Sequence, residues 1–229
     1  MSRLWLCFVV VFPMLAGLFA PLVYRKKQEF FRAYLGISVL LNSVLVWLLL
    51  FHRPEAGITL FYFTGNLTIA FELDGLGCVF AGLVSFLWPL ATLYSFEYMA
   101  KEEHEDIFFL FYTMTYGVTL GIALADNFLT MYCFYELLTL VTVPLVMHTL
   151  TREAILASRK YLCYSIGGAA FAFIGMIFII LYGSTTDFVL GGVLEPGKIG
   201  GKENILLLVY IFTFLGFGVK AAICPFNSW

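Results

Sequence analysis

The sequence predicts an all-α, polytopic helical membrane protein with about seven transmembrane helices. Three observations predict it. Hydrophobic residues make up 62% of the 229 residues and charged ones only 12%, whereas a soluble domain carries about 45–50% apolar and about 25% charged residues. Mean hydropathy is +0.94. The apolar residues also fall into seven runs of about 20, the length a helix needs to cross the hydrocarbon layer. A soluble globular domain and a disordered chain are thereby excluded. A net charge of −2 leaves no basic footprint for nucleic acid. No stretch shows the ten-residue alternation of a membrane barrel.

The runs cover residues 4–23, 30–51, 76–96, 107–125, 128–150, 161–182 and 205–223. The first resembles a signal peptide in having Arg3, an apolar stretch and small residues near Ala20. Arg25, Lys26 and Lys27 follow at once, and then a second span, which is the pattern of a retained helix. The third run follows Glu72 and Asp74, two acids expected to be solvated. The fourth carries Gly117 and Gly121 as GxxxG, and the sixth carries Gly168 and Ala172 as its small-residue variant; both spacings favour close helix packing. Asp126 and Asn127 precede the fifth run, and either can cap it. The connections are short, the longest being 52–75 and 183–204, and neither is read as a second domain.

Basic residues orient the chain. Arg25, Lys26, Lys27, Arg32, Lys101, Arg152, Arg159 and Lys160 fall on one side, and Arg3, Arg53, Lys198 and Lys202 on the other. The excess belongs inside, so the N-terminus is expected outside.

Redox and metal chemistry are not expected of this chain. Cys7, Cys78, Cys133, Cys163 and Cys224 lie within apolar runs, with no CxxC spacing, and read as buried, inert residues. His52, His104 and His148 sit at span ends rather than inside helices, as haem ligation in a bundle requires. No nucleotide-binding, zinc-protease or nucleophile motif is present. No cofactor, metal ligand or catalytic residue is assigned.

Of the 13 basic and 15 acidic residues, two stand at depth: Glu136 in the fifth run and Lys220 in the seventh. An ionisable group at the bilayer centre costs at least about 2.5–3.5 kcal/mol, so such residues mark function or a paired partner. Tyr132, Cys133, Thr139 and Val143 share the Glu136 face by helical spacing, a stripe expected to face protein or water. Pro144 and Pro225 lie downstream of the two charges and free the carbonyls of Leu140 and Ala221. Broken helices beside buried charges are typical of ion-handling sites. Two readings of the charges stand open. One is a static ion pair gluing two helices. The other is a switch, in which the lysine holds its proton beside the carboxylate and releases it when the carboxylate withdraws. Asp126, Tyr132, Thr139, Pro144 and Pro225 are the supporting candidates.

Further residues carry a resemblance. Leu-Asp-Gly-Leu (73–76) opens a span and Glu97-Tyr98-Met99 closes it. Leu124-Ala125-Asp126-Asn127-Phe128-Leu129 leads to Tyr135-Glu136-Leu137. Gly218-Val219-Lys220-Ala221 precedes Pro225-Phe226-Asn227-Ser228-Trp229. In this order over residues 73–229, the chain resembles the proton-conducting, antiporter-like membrane subunits of respiratory complex I (NADH–quinone oxidoreductase), membrane-bound hydrogenases and Mrp-type sodium/proton antiporters.

The resemblance implies that Glu136 and Lys220 are the acid and base that start a chain of protonatable groups, on a fifth helix and a discontinuous seventh. It implies a multi-pass protein of a prokaryotic cell membrane, without a redox centre of its own. It divides the chain into residues 1–73, two helices and an outer loop, and residues 74–229, the conducting domain. Family members continue through a second, inverted repeat, whose charged residues have no counterpart here. The expectation is therefore a truncated, split or incompletely read product, with other membrane subunits supplying the missing helices.

The function expected is proton or cation translocation in a redox-driven complex, this chain doing no chemistry itself. The alternative is membership of an Mrp-type Na+/H+ antiporter as one of its subunits. From another class, a seven-helix receptor or scaffold without transport also fits the spans. A lipid-modifying enzyme fits least, because no His and Asp/Glu cluster lies at the interface.

Overall fold

The computed structural model describes residues 3–26, 28–54, 56–64 and 67–227. Lys27 of the basic loop, and Ser228 and Trp229 of the last motif, lie outside the described residues. The elements run α1 (Leu4–Lys26), α2 (Gln28–Phe51), β1 (Ile58–Thr64), β2 (Leu67–Phe71), α3 (Gly75–Met99), α4 (Glu105–Ala123), α5 (Phe128–Val146), α6 (Arg152–Tyr182), the single turn α7 (Pro196–Ile199) and α8 (Glu203–Lys220). Among the described residues, all these helices except α7 are long and apolar enough to cross a membrane. Leu18, Ile37, Leu83, Leu140 and Leu207 point outward along them, as side chains bathed in lipid do.

The helices run past the apolar runs where polar side chains can continue them. α6 begins at Arg152, nine residues before its apolar run, because Thr151 caps it by accepting from the Ala154 amide at 3.2 Å. At about 1.5 Å per residue, its 31 residues exceed the ~30 Å hydrocarbon layer, so the Arg152–Lys160 turns project into water. Asp74 is not merely solvated; its Oδ1 accepts from the Gly77 amide at 2.6 Å and caps α3. α5 ends at Val146, earlier than its apolar run, two residues after Pro144. Pro144 is held within this last turn, and the helix is unbroken at Glu136.

Residues 52–75, read above as a loop, contain an antiparallel hairpin that pairs Ile58 with Phe71 and Thr59 with Ala70. Its β2 strand is stitched to the α4–α5 link. The Asp126 amide donates to the Ala70 carbonyl at 3.1 Å, and the Glu72 amide donates to the Leu124 carbonyl at 2.9 Å. The 183–188 segment joins the same end, where the Phe128 amide donates to the Thr186 carbonyl at 3.0 Å. The hairpin, the α4–α5 link and the α6–α7 connection thus meet at one end of the bundle. At a different end of α4, Arg32 on α2 pairs with Glu105 at 2.8 Å.

Glycines set the tightest helix contacts. A Cβ on Gly117 would lie 2.3 Å from the Val10 carbonyl on α1, and one on Gly121 would lie 2.3 Å from the Phe134 ring on α5. The GxxxG of α4 therefore serves two partners. On α6, a Cβ on Gly168 would lie 2.7 Å from the Gly216 carbonyl of α8. The cysteines differ from expectation: all are free, and Cys133, Cys163 and Cys224 are exposed rather than buried. A thiol is apolar enough to face lipid, and hydropathy does not separate lipid-facing from core positions.

Candidate functional site

Glu136 lies midway along α5. Lys220 is the last helical residue of α8. The stop at Lys220 has a local cause: the Ala222 amide donates to the Val219 carbonyl at 3.1 Å and the Ile223 amide to the Gly218 carbonyl at 3.0 Å. Ala222 takes the left-handed conformation at φ 52. These features make a Schellman stop. Ile223 folds back so closely that its Cδ1 would sit 2.9 Å from a Cβ on Gly218. Pro225 lies beyond the stop and is exposed, so the helix ends through residues 218–223 rather than through the proline. Lys220 therefore sits at the negative end of a helix dipole, a favourable place for an ammonium.

The Lys220 ammonium reaches across to α5. Its Nζ donates to the Tyr135 main-chain carbonyl and lies 3.5 Å from the centroid of the Tyr135 ring. Tyr135 is buried, and its hydroxyl donates to the Gly216 carbonyl of α8 at 3.1 Å. The Phe217 ring meets the Tyr135 ring edge-on at 5.1 Å. Glu136, the next residue, is partly buried; its Oε1 is buried and has no hydrogen-bond partner among the described residues. Glu136 and Lys220 interact through their charges, yet form no direct ion pair among the described residues.

The supporting candidates divide. Tyr132 leans on α6, its hydroxyl donating to the Ala169 carbonyl at 3.4 Å with its ring 5.7 Å from Phe173. Thr139 is buried with its Oγ1 unpartnered among the described residues. Cys133, on the same predicted stripe, is exposed, so that stripe straddles the protein and the outer surface. Pro144 lies in the last turn of α5, and Pro225 lies outside α8. Tyr135 was not singled out from sequence, because an aromatic residue in an aromatic-rich span carries no pattern of its own.

Asp126 lies apart from the two charges, at the hairpin end. Asn127, not Asp126, caps α5: its Oδ1 accepts from the Thr130 amide at 2.8 Å. The Asp126 carboxyl is pushed up to about 6 by burial, by a hydrogen bond with Glu72, and by the nearby charges of Glu72 and Asp187. The folded protein therefore binds this proton more tightly than the unfolded chain does. Stability is greatest at acid pH and declines as pH rises through about 6. Asp126→Asn should flatten that decline, as measured by unfolding temperature against pH in one detergent. An unchanged slope would contradict it.

Fold and site define a polytopic helical membrane protein carrying an acid and a base within its spans. Residues 125–229 match the family described as NADH:quinone oxidoreductase/Mrp antiporter, TM, and residues 62–109 match NADH-Ubiquinone oxidoreductase (complex I), chain 5 N-terminus. The A-type Na(+)/H(+) antiporter subunit of Alkalihalophilus pseudofirmus is 31% identical over 159 residues, covering 69% of this chain and 20% of that protein. The A1-type Na(+)/H(+) antiporter subunit of Staphylococcus aureus is 25% identical over 228 residues, covering 96% of this chain and 28% of that protein. In fold, the chain is similar to a chain of the Mrp complex of a Dietzia species (TM-score 0.78, 16% identity, 98% of this chain and 24% of that one). It is also similar to a chain of an archaeal respiratory membrane complex, the membrane-bound sulfane sulfur reductase (TM-score 0.77, 16% identity, 100% of this chain and 47% of that one). The chain thus spans between 20% and 28% of the length of these curated relatives. It belongs to the antiporter-like membrane subunit family shared by NADH:quinone oxidoreductase and Mrp antiporters.

Proposed function

We propose that the chain contributes to proton or sodium translocation within a multisubunit membrane complex, with Glu136 and Lys220 exchanging a proton. One observation carries this reading: the Lys220 ammonium rests on the residue next to Glu136 while the Glu136 carboxyl stays unpartnered. A static glue would hold the two in a direct ion pair, where each neutralises the other. Here the acid and base are close and unlocked, which is what a switch needs. An amine at membrane depth keeps its proton when a carboxylate faces it and gives it up when the carboxylate withdraws. Residues 74–229 would be the conducting unit, residues 1–73 its flanking helices, and the hairpin end would face outside with the N-terminus.

The names of the curated relatives favour the Mrp-type antiporter over the redox-driven setting, and family membership favours transport over a receptor or scaffold. Other membrane subunits would supply the rest of the pathway. In the assembled complex, Lys220→Ala should abolish cation-driven dissipation of a pH gradient across vesicles while leaving assembly intact. Wild-type transport in that variant would overturn the reading. Sodium-dependent transport without any redox substrate would support the antiporter setting, and transport only with an electron donor would support the redox-driven one.

A further inference from the structure

We infer that Tyr135 is a positioning residue for Lys220, its ring face and main-chain carbonyl forming a cradle that holds the ammonium one residue away from Glu136. This rests on the proton-exchange reading above and adds the element that keeps acid and base apart.

The cradle is built from both helices. The ammonium lies 3.5 Å from the ring centroid, well inside cation–π range, where a desolvated cation gains most from the negative ring face. The same ammonium donates to the Tyr135 carbonyl, so one residue supplies both a ring and an acceptor. The ring cannot swing away freely. Its hydroxyl is tied at 3.1 Å to the Gly216 carbonyl, one turn before Lys220 on α8, and Phe217 closes on its edge at 5.1 Å. The contacts therefore form a closed circuit: α8 holds the ring, and the ring holds the α8 lysine. Glu136 is left as the competitor. For the carboxylate to pair with Lys220, the ammonium must leave the ring, so the cradle sets how readily the two meet.

The charged group acting on Lys220 is Glu136. Tyr132 on α5 and Tyr161 on α6 are the further titratable side chains acting on Tyr135. A tyrosine that merely filled space would be replaceable by any side chain of similar bulk. A cradle has a sharper requirement, because the ring must carry a negative face.

The test is the pH profile of cation translocation by the assembled complex in vesicles. Tyr135→Phe keeps the ring and should leave the profile close to wild type. Tyr135→Leu removes it and should move the basic limb to lower pH by about one unit, a tenfold change in proton affinity. If the leucine variant does not assemble, phenylalanines of increasing fluorine content at this position keep the shape while draining the ring face, and the limb should move stepwise with each fluorine. A profile that ignores ring charge, while Lys220→Ala abolishes transport, would overturn the cradle alone. Intact transport in Lys220→Ala would instead overturn the proton-exchange reading beneath it.

Discussion

Alanine at Gly168 should lower the unfolding free energy by about 1–3 kcal/mol, the usual range for overpacking a tight interior, while alanine at Gly167 should stay within about 0.5 kcal/mol of neutral. The two glycines are neighbours on α6 and differ only in what a side chain would meet. At Gly168 a Cβ would lie 2.7 Å from the Gly216 carbonyl and 2.9 Å from the Val219 Cβ. At Gly167 it would meet nothing within 4 Å. A carbonyl bonded into its own helix cannot retreat as a flexible side chain can, so α6 and α8 must part. The contact is mutual, since a Cβ on Gly216 would lie 2.5 Å from the Gly168 carbonyl. The Gly216 carbonyl also accepts from the Tyr135 hydroxyl, so displacement of α8 would be felt at Lys220. Unfolding temperatures of both variants, measured in one detergent, give the comparison. Equal values would mean that the α6–α8 seam accommodates a methyl group and that the close approach does not set stability.

That seam also marks how far the sequence could be read. Its small residues were legible as a packing motif, because Gly168 and Ala172 lie one turn apart on α6. Their partner was not, since spacing along one helix says nothing of which neighbour fills the groove. The seven spans were legible because hydrocarbon demands about 20 apolar residues of any helix that crosses it. Their ends were less so: Thr151 starts α6 in water, where hydropathy gives no signal.

The hairpin was missed because a stretch between two spans reads as a connection. Yet Ile58–Thr64 and Leu67–Phe71 alternate aromatic and β-branched residues around Gly65 and Asn66, the pattern that favours strands and a turn. At the site, Glu136 and Lys220 stood out because charge is costly at depth. Tyr135 did not, since the role assigned to it depends on a lysine 85 positions away. Asp126 and Asn127 were equivalent as caps by residue type, and only the fold separates them.

Asn127→Asp should destabilise the protein by about 1–3 kcal/mol, the cost of orphaning a buried partner, although aspartate is as good a helix cap as asparagine on an exposed helix. Asn127 is fully buried and does two jobs with one amide. Its Oδ1 caps α5, accepting from the Thr130 amide at 2.8 Å. Its Nδ2 donates to the Thr68 Oγ1 of β2 at 3.1 Å. Thr130 continues the join: its Oγ1 accepts from the Ala70 amide at 3.0 Å, and its single proton is shared between Asn127 Oδ1 and the Thr68 carbonyl. Aspartate keeps the cap but has no N–H for Thr68. It also adds a carboxylate beside Asp126, which already feels Glu72 and Asp187. The penalty should therefore grow as pH rises through about 6, where Asp126 itself loses its proton. Asn127→Ala should also destabilise, but without that added dependence on pH, because it removes cap and donor without adding charge. Unfolding temperature against pH for the two variants separates these effects. An aspartate variant as stable as the parent at neutral pH would reduce Asn127 to an ordinary cap and remove it as the fastener between hairpin and bundle.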